Sequence, residues 1–307
     1  MDLVINLNKP KDITSREATT EIKRILKAKK AGHTGTLDPS ATGVLLICIN
    51  KATRLASYLS SLDKEYKTVM KLGEATDTQD AEGTVIKKTD SGEIDENLIE
   101  NTLLSYKGEI LQIPPMFSAI KYKGRPLYEY AKKGIDIHRE PRKIHIHHIE
   151  LLSIKPPFVS FTAICSKGTY IRTLCNDIGE KLGVGAHLFK LERLAIGPFS
   201  INQSRSIEEL KSLNLSPSDS GQPLFPAKGI YTMDSALSWM PELKIKEYMI
   251  KNVKNGIPVN VNAFTILNDN FKTAPGIKIK SPGGEFLAVG RFSQDRNEIK
   301  MDVVFGA

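Results

Sequence analysis

The sequence predicts an α+β protein that ends in a small β module. Up to about residue 200, some segments carry apolar residues at helical spacing and others alternate apolar with polar residues, a pattern typical of helices packed on a sheet. From Val259 to Phe305 the pattern changes to short strands separated by turns such as Pro282-Gly283-Gly284. Of the 307 residues, 40% are hydrophobic and 25% are charged, an ordinary globular composition that excludes disordered and fibrous proteins.

The first two elements have clear start and stop signals. Val4-Ile5-Asn6-Leu7 predicts a short strand, which Lys9-Pro10 ends. Thr14 and Glu17 match a capping box and predict an amphipathic helix over residues 15–29.

A glycine-rich turn and a buried strand come next. The turn extends from Gly32 to Gly43, and the apolar run Val44–Ile49 predicts the strand. Asn50 follows the strand at a position where a positive φ is plausible, since asparagine tolerates the left-handed region.

The same two periodicities predict the other elements of this part of the chain. Helices are expected where apolar residues recur every three or four positions, over residues 52–62, 95–106 and 171–182. Strands are expected where apolar and polar residues alternate, over residues 65–72, 144–154 and 158–165. Asp77–Gly83 predicts a turn, and a short helical patch is expected near residues 234–239. Residues 213–229 are rich in Ser, Pro and Gly, which by composition marks a boundary.

The excess of positive charge is concentrated in one place. The chain has 43 Lys and Arg against 35 Asp and Glu, a net charge of +8. Within Lys121–Lys143, here called the basic segment, eight basic and three acidic side chains give +5, and Tyr122, Tyr128 and Tyr130 lie among them. Basic and aromatic side chains together suit an RNA backbone and its bases. A solvated lysine-rich surface fits the charge equally well, so charge alone leaves both interpretations open.

Composition also bears on compartment and metal binding. The longest apolar run has six residues, far short of the ~20 that span a bilayer, and no basic-then-apolar leader is visible. Three cysteines without a CxxC pair argue against a disulfide framework or a Cys₄ zinc site, so we expect a cytoplasmic protein. His145, His147 and His148 offer imidazoles, but no Cys or carboxylate at the usual spacing completes a four-ligand site, so no metal is expected.

One loop has the features of a catalytic position. It is the segment Ala31-Gly32-His33-Thr34-Gly35-Thr36-Leu37-Asp38-Pro39-Ser40-Ala41-Thr42-Gly43-Val44-Leu45. Pro39 restricts the backbone of Asp38, so an ionisable acid is held just before a buried strand. An isolated Asp-Pro is more often a simple turn. The whole segment, however, resembles the catalytic motif of the TruB-type tRNA pseudouridine synthases of bacteria, stand-alone enzymes that make pseudouridine 55 in the T-loop of tRNA.

The resemblance covers residues 4 to about 200, with the family's motifs in the expected order. The matching segments are Asn8-Lys9-Pro10, Asp63-Lys64-Glu65-Tyr66-Lys67, the turn from Gly73 to Gly83, Gln112–Ala119, Gly124–Ala131 and Cys165–Leu174. It implies a pseudouridine synthase fold, a mixed and mostly antiparallel sheet flanked by helices, over residues 1–239. The basic insertion would span about residues 112–150. Residues 240–307 resemble the family's PUA-like RNA-binding domain, a small barrel-like β domain, mainly through Phe286–Gly290.

The resemblance also implies which side chains do the chemistry. Asp38 matches the catalytic nucleophile, Arg172 the arginine that pairs with it, and Tyr66 the tyrosine that stacks on the flipped uracil.

Further positions are carried over as substrate-binding residues. His33 matches the residue that fills the space left by the flipped base, and Tyr170 and Leu191 match positions on the wall of the active site. Lys9 and Asp80 are expected to support the site.

The partner expected from the resemblance is the T-arm of tRNA, bound by a monomer with no cofactor and no obligatory protein partner. Two alternatives remain: an RNA-binding or RNA-folding module without turnover, and the guide-RNA-dependent relative of the family, which works in a ribonucleoprotein. The retained Asp38, Tyr66 and Arg172 argue against the first alternative, and the basic segment, which resembles the stand-alone type, argues against the second.

Overall fold

A computed structural model of the chain describes residues 1–90, 94–213, 227–265 and 269–305. Within these residues, ten strands form one large sheet in the order β14-β1-β3-β12-β4-β11-β10-β7, with β2 added to β3 and β13 added to β12. The pair β3–β12 is parallel, and the other pairs of this sheet are antiparallel. The predicted α+β class with a mixed, mostly antiparallel sheet is confirmed.

The strands up to residue 232 include this sheet and two small hairpins, β5–β6 and β8–β9. Their bounds are β1 Leu3–Lys9, β2 Ala31–Thr34, β3 Thr42–Ile49, β4 Lys64–Leu72, β5 Glu74–Thr76, β6 Val85–Lys88, β7 Gly108–Gln112, β8 Lys121–Tyr122, β9 Arg125–Pro126, β10 Arg142–Lys155, β11 Phe158–Cys165, β12 Ala186–Ile196, β13 Phe199–Ser200 and β14 Ile230–Thr232.

The α-helices are short or of moderate length. They are α1 Ser15–Ile25, α2 Ala56–Ser60, α3 Glu96–Leu104, α4 Leu127–Ala131, α5 Ile171–Lys181, α6 Ile207–Ser212 and α7 Ile250–Lys254. Among the described residues, no helix combines the length and apolar character needed to cross a membrane.

The last part of the chain builds a second sheet of six strands in the order β16-β20-β19-β18-β15-β17. The bounds are β15 Glu242–Ile245, β16 Val259–Asn260, β17 Phe264–Thr265, β18 Ile277–Lys280, β19 Phe286–Ser293 and β20 Glu298–Val304. The predicted C-terminal β module is therefore present. It begins earlier than the predicted Val259, because the four-residue strand β15 pairs in parallel with the distant β18.

Two predicted helices differ from the structure. The capping box of Thr14 and Glu17 is present, but α1 ends at Ile25 instead of residue 29, because Lys27 takes a positive φ of 47° that a right-handed helix does not allow. Residues 52–62 form a 3₁₀ turn followed by the five-residue α2 instead of one helix. Asn50 has the positive φ expected of it, 50°, and is the first residue of this 3₁₀ turn.

Two further differences concern the approach to the second sheet. The helical patch expected near residues 234–239 is one 3₁₀ turn, Ser235–Leu237. Most of the compositional boundary at residues 213–229 falls on 214–226, outside the described residues.

The two sheets contact each other through both apolar and charged side chains. Val44 and Leu46 of β3 belong to the same buried apolar cluster as Val289 of β19. Tyr58 donates a hydrogen bond of 2.8 Å to the Asp302 carboxylate. The second sheet is therefore packed against the first, on the side of α2.

Candidate active site

A cavity of about 750 Å³ opens beside the loop that joins β2 to β3. Its lining combines acidic, basic, aromatic and aliphatic side chains, which include Asp38, Lys64, Tyr66, Asp80, Tyr128, Lys132, Lys167, Tyr170, Arg172, Leu191 and Arg193. Six of the eight residues predicted from the sequence for catalysis or substrate binding thus lie around one space. They come from the β2–β3 loop, β4, the β5–β6 hairpin, α5 with the residue before it, and β12.

An ion-pair chain lies at the cavity wall. The Arg172 Nε atom is 3.1 Å from Asp38 Oδ2, and its Nη1 atom is 3.3 Å from Asp80 Oδ2. Arg172 also donates a hydrogen bond of 2.8 Å from Nη2 to the carbonyl oxygen of Phe117. The side chain of Arg172 is 9% exposed, whereas that of Asp38 is 37% exposed. Arg172 is therefore a fixed cation, and the carboxylate that it orients remains accessible from the cavity.

The loop that carries Asp38 is held from below by the N-terminal segment. The buried Ser15 hydroxyl accepts a hydrogen bond from the Leu37 amide and donates one to the Leu37 carbonyl, each at 2.9 Å. Lys9 is fully buried, and its Nζ atom donates to three carbonyl oxygens, those of Pro10, Ile13 and Pro39. Both neighbours of Asp38 in the chain are thus fixed, which limits the movement of its carboxylate.

Tyr66 lies beside a buried arginine on the neighbouring strand. Residue 66 on β4 pairs with Arg193 on β12, and Arg193 is 1% exposed. Arg193 donates hydrogen bonds to the carbonyl oxygens of Val44 at 2.7 Å and Gly35 at 2.9 Å. Its guanidinium therefore ties β12 to both ends of the loop that carries Asp38.

Gly43 allows the backbones of β3 and β12 to approach each other closely. It has a φ of 103°, and a Cβ atom at this position would lie 2.2 Å from the carbonyl oxygen of Arg193. No other residue type fits without movement of the backbone. The last glycine of the motif is thus required by the contact that carries Arg193.

Burial sets the protonation of the central groups. Burial raises the pKa of Asp38, and the positive charge of Arg172 opposes that rise. Burial likewise raises the pKa of the Tyr66 phenol, against the influence of Arg193. Burial lowers the pKa of Lys9 to about 8, with Asp38 and Asp12 opposing it. At neutral pH the tyrosine is therefore a neutral hydrogen-bond donor.

Tyr170 and Leu191 also line the cavity, and further hydrogen bonds hold the main chain of Tyr170. The side-chain amide of Gln112 accepts a hydrogen bond from the Tyr170 amide at 2.8 Å and donates one to its carbonyl at 3.0 Å. This clamp joins the edge strand β7 to the start of α5. It fixes the main chain two residues before Arg172.

Two predicted residues do not line the cavity. Lys9 lies beneath the loop, where its amine contacts main-chain oxygens. His33 lies on β2 and is partly buried, and its Nδ1 atom is buried without a hydrogen-bond partner among the described residues. Burial, with the charge of Arg193, lowers the pKa of His33, which favours the neutral ring.

Comparison with known proteins agrees with the resemblance in the motifs. Residues 23–171 match the N-terminal domain of the TruB family of pseudouridylate synthases. Residues 172–238 match the C-terminal domain of tRNA pseudouridylate synthase B. The chain belongs to the TruB family. It is thus a pseudouridine synthase, which is an isomerase.

Curated members of the TruB family match over most of their length. The tRNA pseudouridine synthase B of Clostridium tetani is 47% identical over 259 residues, which cover 84% of this chain and 86% of the relative. That of Clostridium kluyveri is 41% identical over 290 residues, which cover 94% and 95%.

Solved structures confirm the pseudouridine synthase fold. A chain in the crystal structure of a Cbf5-Nop10-Gar1 complex is 31% identical, with a TM-score of 0.77 over 99% of this chain and 84% of that one. A chain in an H/ACA RNP bound to a substrate RNA containing 2′-deoxyuridine is 28% identical, with a TM-score of 0.75 over 99% and 85%.

Sequence reasoning missed three groups at this TruB site. Arg193 was detectable, because it is two positions after Leu191 on one strand and so faces the same side of the sheet. The role of Ser15 could not be predicted, because a serine directly after the capping residue is common at the start of a helix. Lys64 has no signal of its own beyond its place in a motif. Its amine donates to the Ser60 carbonyl at 2.8 Å, and burial lowers its pKa to about 8.

The basic segment reaches the same cavity. Tyr128 and Lys132 line it, and the Lys132 amine is 5.8 Å from the centre of the Tyr128 ring.

His145 and His147 face one side of β10, with ring centres 4.6 Å apart. Within the described ranges, no group of three or more His, Cys, Asp or Glu side chains is arranged to hold a metal ion.

Proposed function

We propose that this TruB-family chain converts uridine 55 in the T-loop of tRNA to pseudouridine. The observation that carries the proposal is the ion pair of Asp38 with the buried Arg172 on the wall of a cavity that Tyr66 also lines. The reaction breaks the bond between N1 of uracil and C1′ of the ribose, turns the base, and joins C5 to C1′. The proton on C5 is lost and one is gained at N1, so the atoms balance without a co-reactant.

Asp38 serves as the nucleophile, which the reaction needs while the base is detached. The positive charge of Arg172 opposes the rise in the pKa of Asp38 and orients its carboxylate toward the cavity, and Asp80 fixes the far end of the guanidinium. Tyr66 stacks on the uracil, and its neutral phenol has a proton to donate. The proposal also covers a glycal route, in which the same carboxylate would act as a base on the ribose instead of attacking C1′ or the base.

Access to the base requires that the uridine leave its stack. Flipping costs a few kcal/mol, which contacts in the cavity must offset. A volume of about 750 Å³ is ample for one nucleotide, in the range of ordinary ligand pockets. His33 fills the space that the base vacates, for which a neutral ring is suited. Tyr170 and Leu191 provide the apolar walls.

RNA is held mainly by positive charge. Lys132 and Lys167 line the cavity, and the basic segment extends from its rim. We assign residues 1–239, with the insertion at about 112–150, to the catalytic domain and 240–307 to a PUA-like RNA-binding domain. In support, the strands of the large sheet lie within Leu3–Thr232 and those of the second sheet within Glu242–Val304.

The enzyme is proposed to act as a monomer on tRNA alone, without a cofactor, a guide RNA or a protein partner. The curated relatives at 41–47% identity are named tRNA pseudouridine synthase B, which favours this over a ribonucleoprotein. A cytoplasmic location accords with three cysteines that are all free and buried.

The test uses the purified protein and tRNA labelled with tritium at C5 of uridine. Turnover releases tritium, and mapping of the modified positions should show pseudouridine at position 55 only. RNA binding without tritium release would favour the non-catalytic alternative. Release that depends on an added guide RNA would favour the ribonucleoprotein alternative.

A further inference from the structure

A second cavity lies next to the one described above. Its volume is about 500 Å³, and Asp38, Asp80, Glu82 and Leu191 line both cavities. These four side chains therefore form a shared wall. A ligand in the first cavity would be separated from the second only by this wall.

An irregularity of β12 exposes an aromatic ring in this second cavity. The register of β12 against β4 shifts between Leu188 and Lys190, so that Phe189 has no partner on β4. Phe189 is 50% exposed, in a part of β12 that β3 does not cover, since among the described residues β3 pairs with β12 only at Glu192 and Arg193. Its ring centre is 4.8 Å from that of Phe158, which supports one side of it. Bulges of this kind re-aim side chains next to active sites.

The second cavity contains both signs of charge. Lys11 and Lys190 line it together with the carboxylates of the shared wall and the hydroxyls of Ser40 and Thr42. Within the described part of the chain, Lys190 has no ion pair, and Lys11 has only a long, exposed contact of 3.9 Å with Asp12. Cations that are not neutralised by protein suit a phosphate, whereas carboxylates and hydroxyls suit the N–H groups of a base.

We propose that the second cavity binds the nucleotide adjacent to the target uridine, with its base stacked on Phe189 and its phosphate near Lys11 and Lys190. The proposal rests on the proposed function, because it assumes that the uridine occupies the first cavity. An aromatic platform beside lysines is how single-stranded RNA is held, and a cavity of this size takes one base.

The experiment measures coupling between Phe189 and one base of the RNA. T-arm hairpins are prepared with the normal sequence, and with the base removed on the 5′ or the 3′ side of the target uridine. Binding of each hairpin is measured with the Asp38→Asn protein, with and without Phe189→Ala. Because stacking on an aromatic side chain changes affinity by about tenfold per base, Phe189→Ala should weaken binding of the normal hairpin by that factor.

The decisive comparison is with the hairpins that lack a base. For one flanking position, removal of the base should weaken binding about tenfold with Phe189 present and not at all with Phe189→Ala. Phe189→Tyr should keep the coupling, because it keeps the ring. The proposal would be overturned if Phe189→Ala and removal of the base lowered the affinity by independent factors that multiply, at both flanking positions. It would also be overturned if the Phe189→Ala protein bound the normal hairpin as tightly as the protein with Phe189.

Matched controls and a separate readout keep the two proposals distinct. Leu104→Ala removes an exposed apolar side chain that lines neither cavity, and should show no coupling to any base. Pseudouridine formation by the protein with Asp38 intact tests the proposed function alone. Pseudouridine formation without coupling would refute only the proposed nucleotide binding in the second cavity. Coupling without pseudouridine formation would refute only the proposed reaction.

Discussion

The loop that carries Asp38 and the basic segment reach the same cavity, but they are built in opposite ways. The loop is fixed by buried donors, Ser15, Lys9 and Arg193, each of which contacts its main chain. The basic segment has the short hairpin β8–β9 and the five-residue α4, and most of its charged side chains are exposed. Chemistry at one carboxylate requires fixed geometry, whereas attraction of an RNA backbone requires accessible charge at many positions.

The largest effect is expected from Asp38→Asn. The amide keeps the shape of the side chain but removes the carboxylate, and Asp80 still neutralises Arg172, so the fold and RNA binding should persist. Product formation from a mapped T-arm substrate should fall below a few per cent of the wild-type rate. A higher residual rate would remove Asp38 from the role of nucleophile.

The next largest effect is expected when the hydrogen bonds that hold the Asp38 loop to the first helix are removed. Ser15→Ala leaves the buried amide and carbonyl of Leu37 without their partner, which should lower the free energy of unfolding by about 1–3 kcal/mol. It should also lower kcat by roughly tenfold to a hundredfold, because the carboxylate beside Leu37 is displaced. Denaturant unfolding and single-turnover rates measure the two effects.

Thr20→Ala is the matched control for Ser15→Ala. Thr20 is an exposed hydroxyl residue on the same helix, and its hydroxyl donates to the main chain of that helix. Equal losses in the two variants would mean that the helix as a whole, and not the contact with Leu37, supports the site.

The basic segment should respond in the opposite manner. Replacing Lys121, Lys123, Arg125 and Lys133 with Gln should weaken tRNA binding and leave the rate at saturating enzyme nearly unchanged, because none of the four lines the cavity. The slope of log affinity against log salt should become shallower by about 0.7 for each phosphate that the segment no longer neutralises. An unchanged slope would identify the segment as a solvated surface. Lys107→Gln with Lys155→Gln serves as the control.

A smaller effect concerns pH. Because burial raises the pKa of Asp38, the rate should fall on acidification at a pH above the ordinary range of aspartate. The negative charge of Asp80 contributes to that rise, so Asp80→Asn should move the acid limb of the single-turnover rate to lower pH, whatever happens to its height. A limb that moves to higher pH would contradict this electrostatic account.

The smallest effect is expected from chelation. Activity should survive exhaustive EDTA treatment when monovalent salt maintains the RNA fold. A loss of activity that only zinc restores would instead implicate the histidines of β10 in metal binding.

Local signals predicted the fold well wherever one periodicity dominated. The strand Phe158–Cys165 has the bounds that its pattern predicts, since its residues alternate between a buried and a half-buried face. The helix ends were less accurate, because the positive φ of Lys27 is set by the turn into β2 and not by its own side chain. The residues of β15 alternate between polar and apolar, but the strand has only four residues and its partner β18 lies more than thirty positions away, so its place in the sheet could not be predicted.

At the site, motifs identified the reacting groups but not what holds them. Asp38, Tyr66 and Arg172 belong to motifs that resemble the family, whereas the cross-strand position of Arg193 opposite Tyr66 depends on register. The bulge at Phe189 is likewise a property of the pairing of two strands. Contacts between distant segments therefore account for most of what the sequence could not show.

The close approach of β3 and β12 at Gly43 has a consequence for synthesis on the ribosome. Asp38 leaves the ribosome well before Arg193, by roughly eight to thirty seconds at about 5–20 residues per second. During that interval β1 and β3 can already pair, but the arginine that ties both ends of the Asp38 loop does not yet exist. However early the N-terminal strands form, the nascent enzyme remains inactive until β12 has emerged and docked along Gly43.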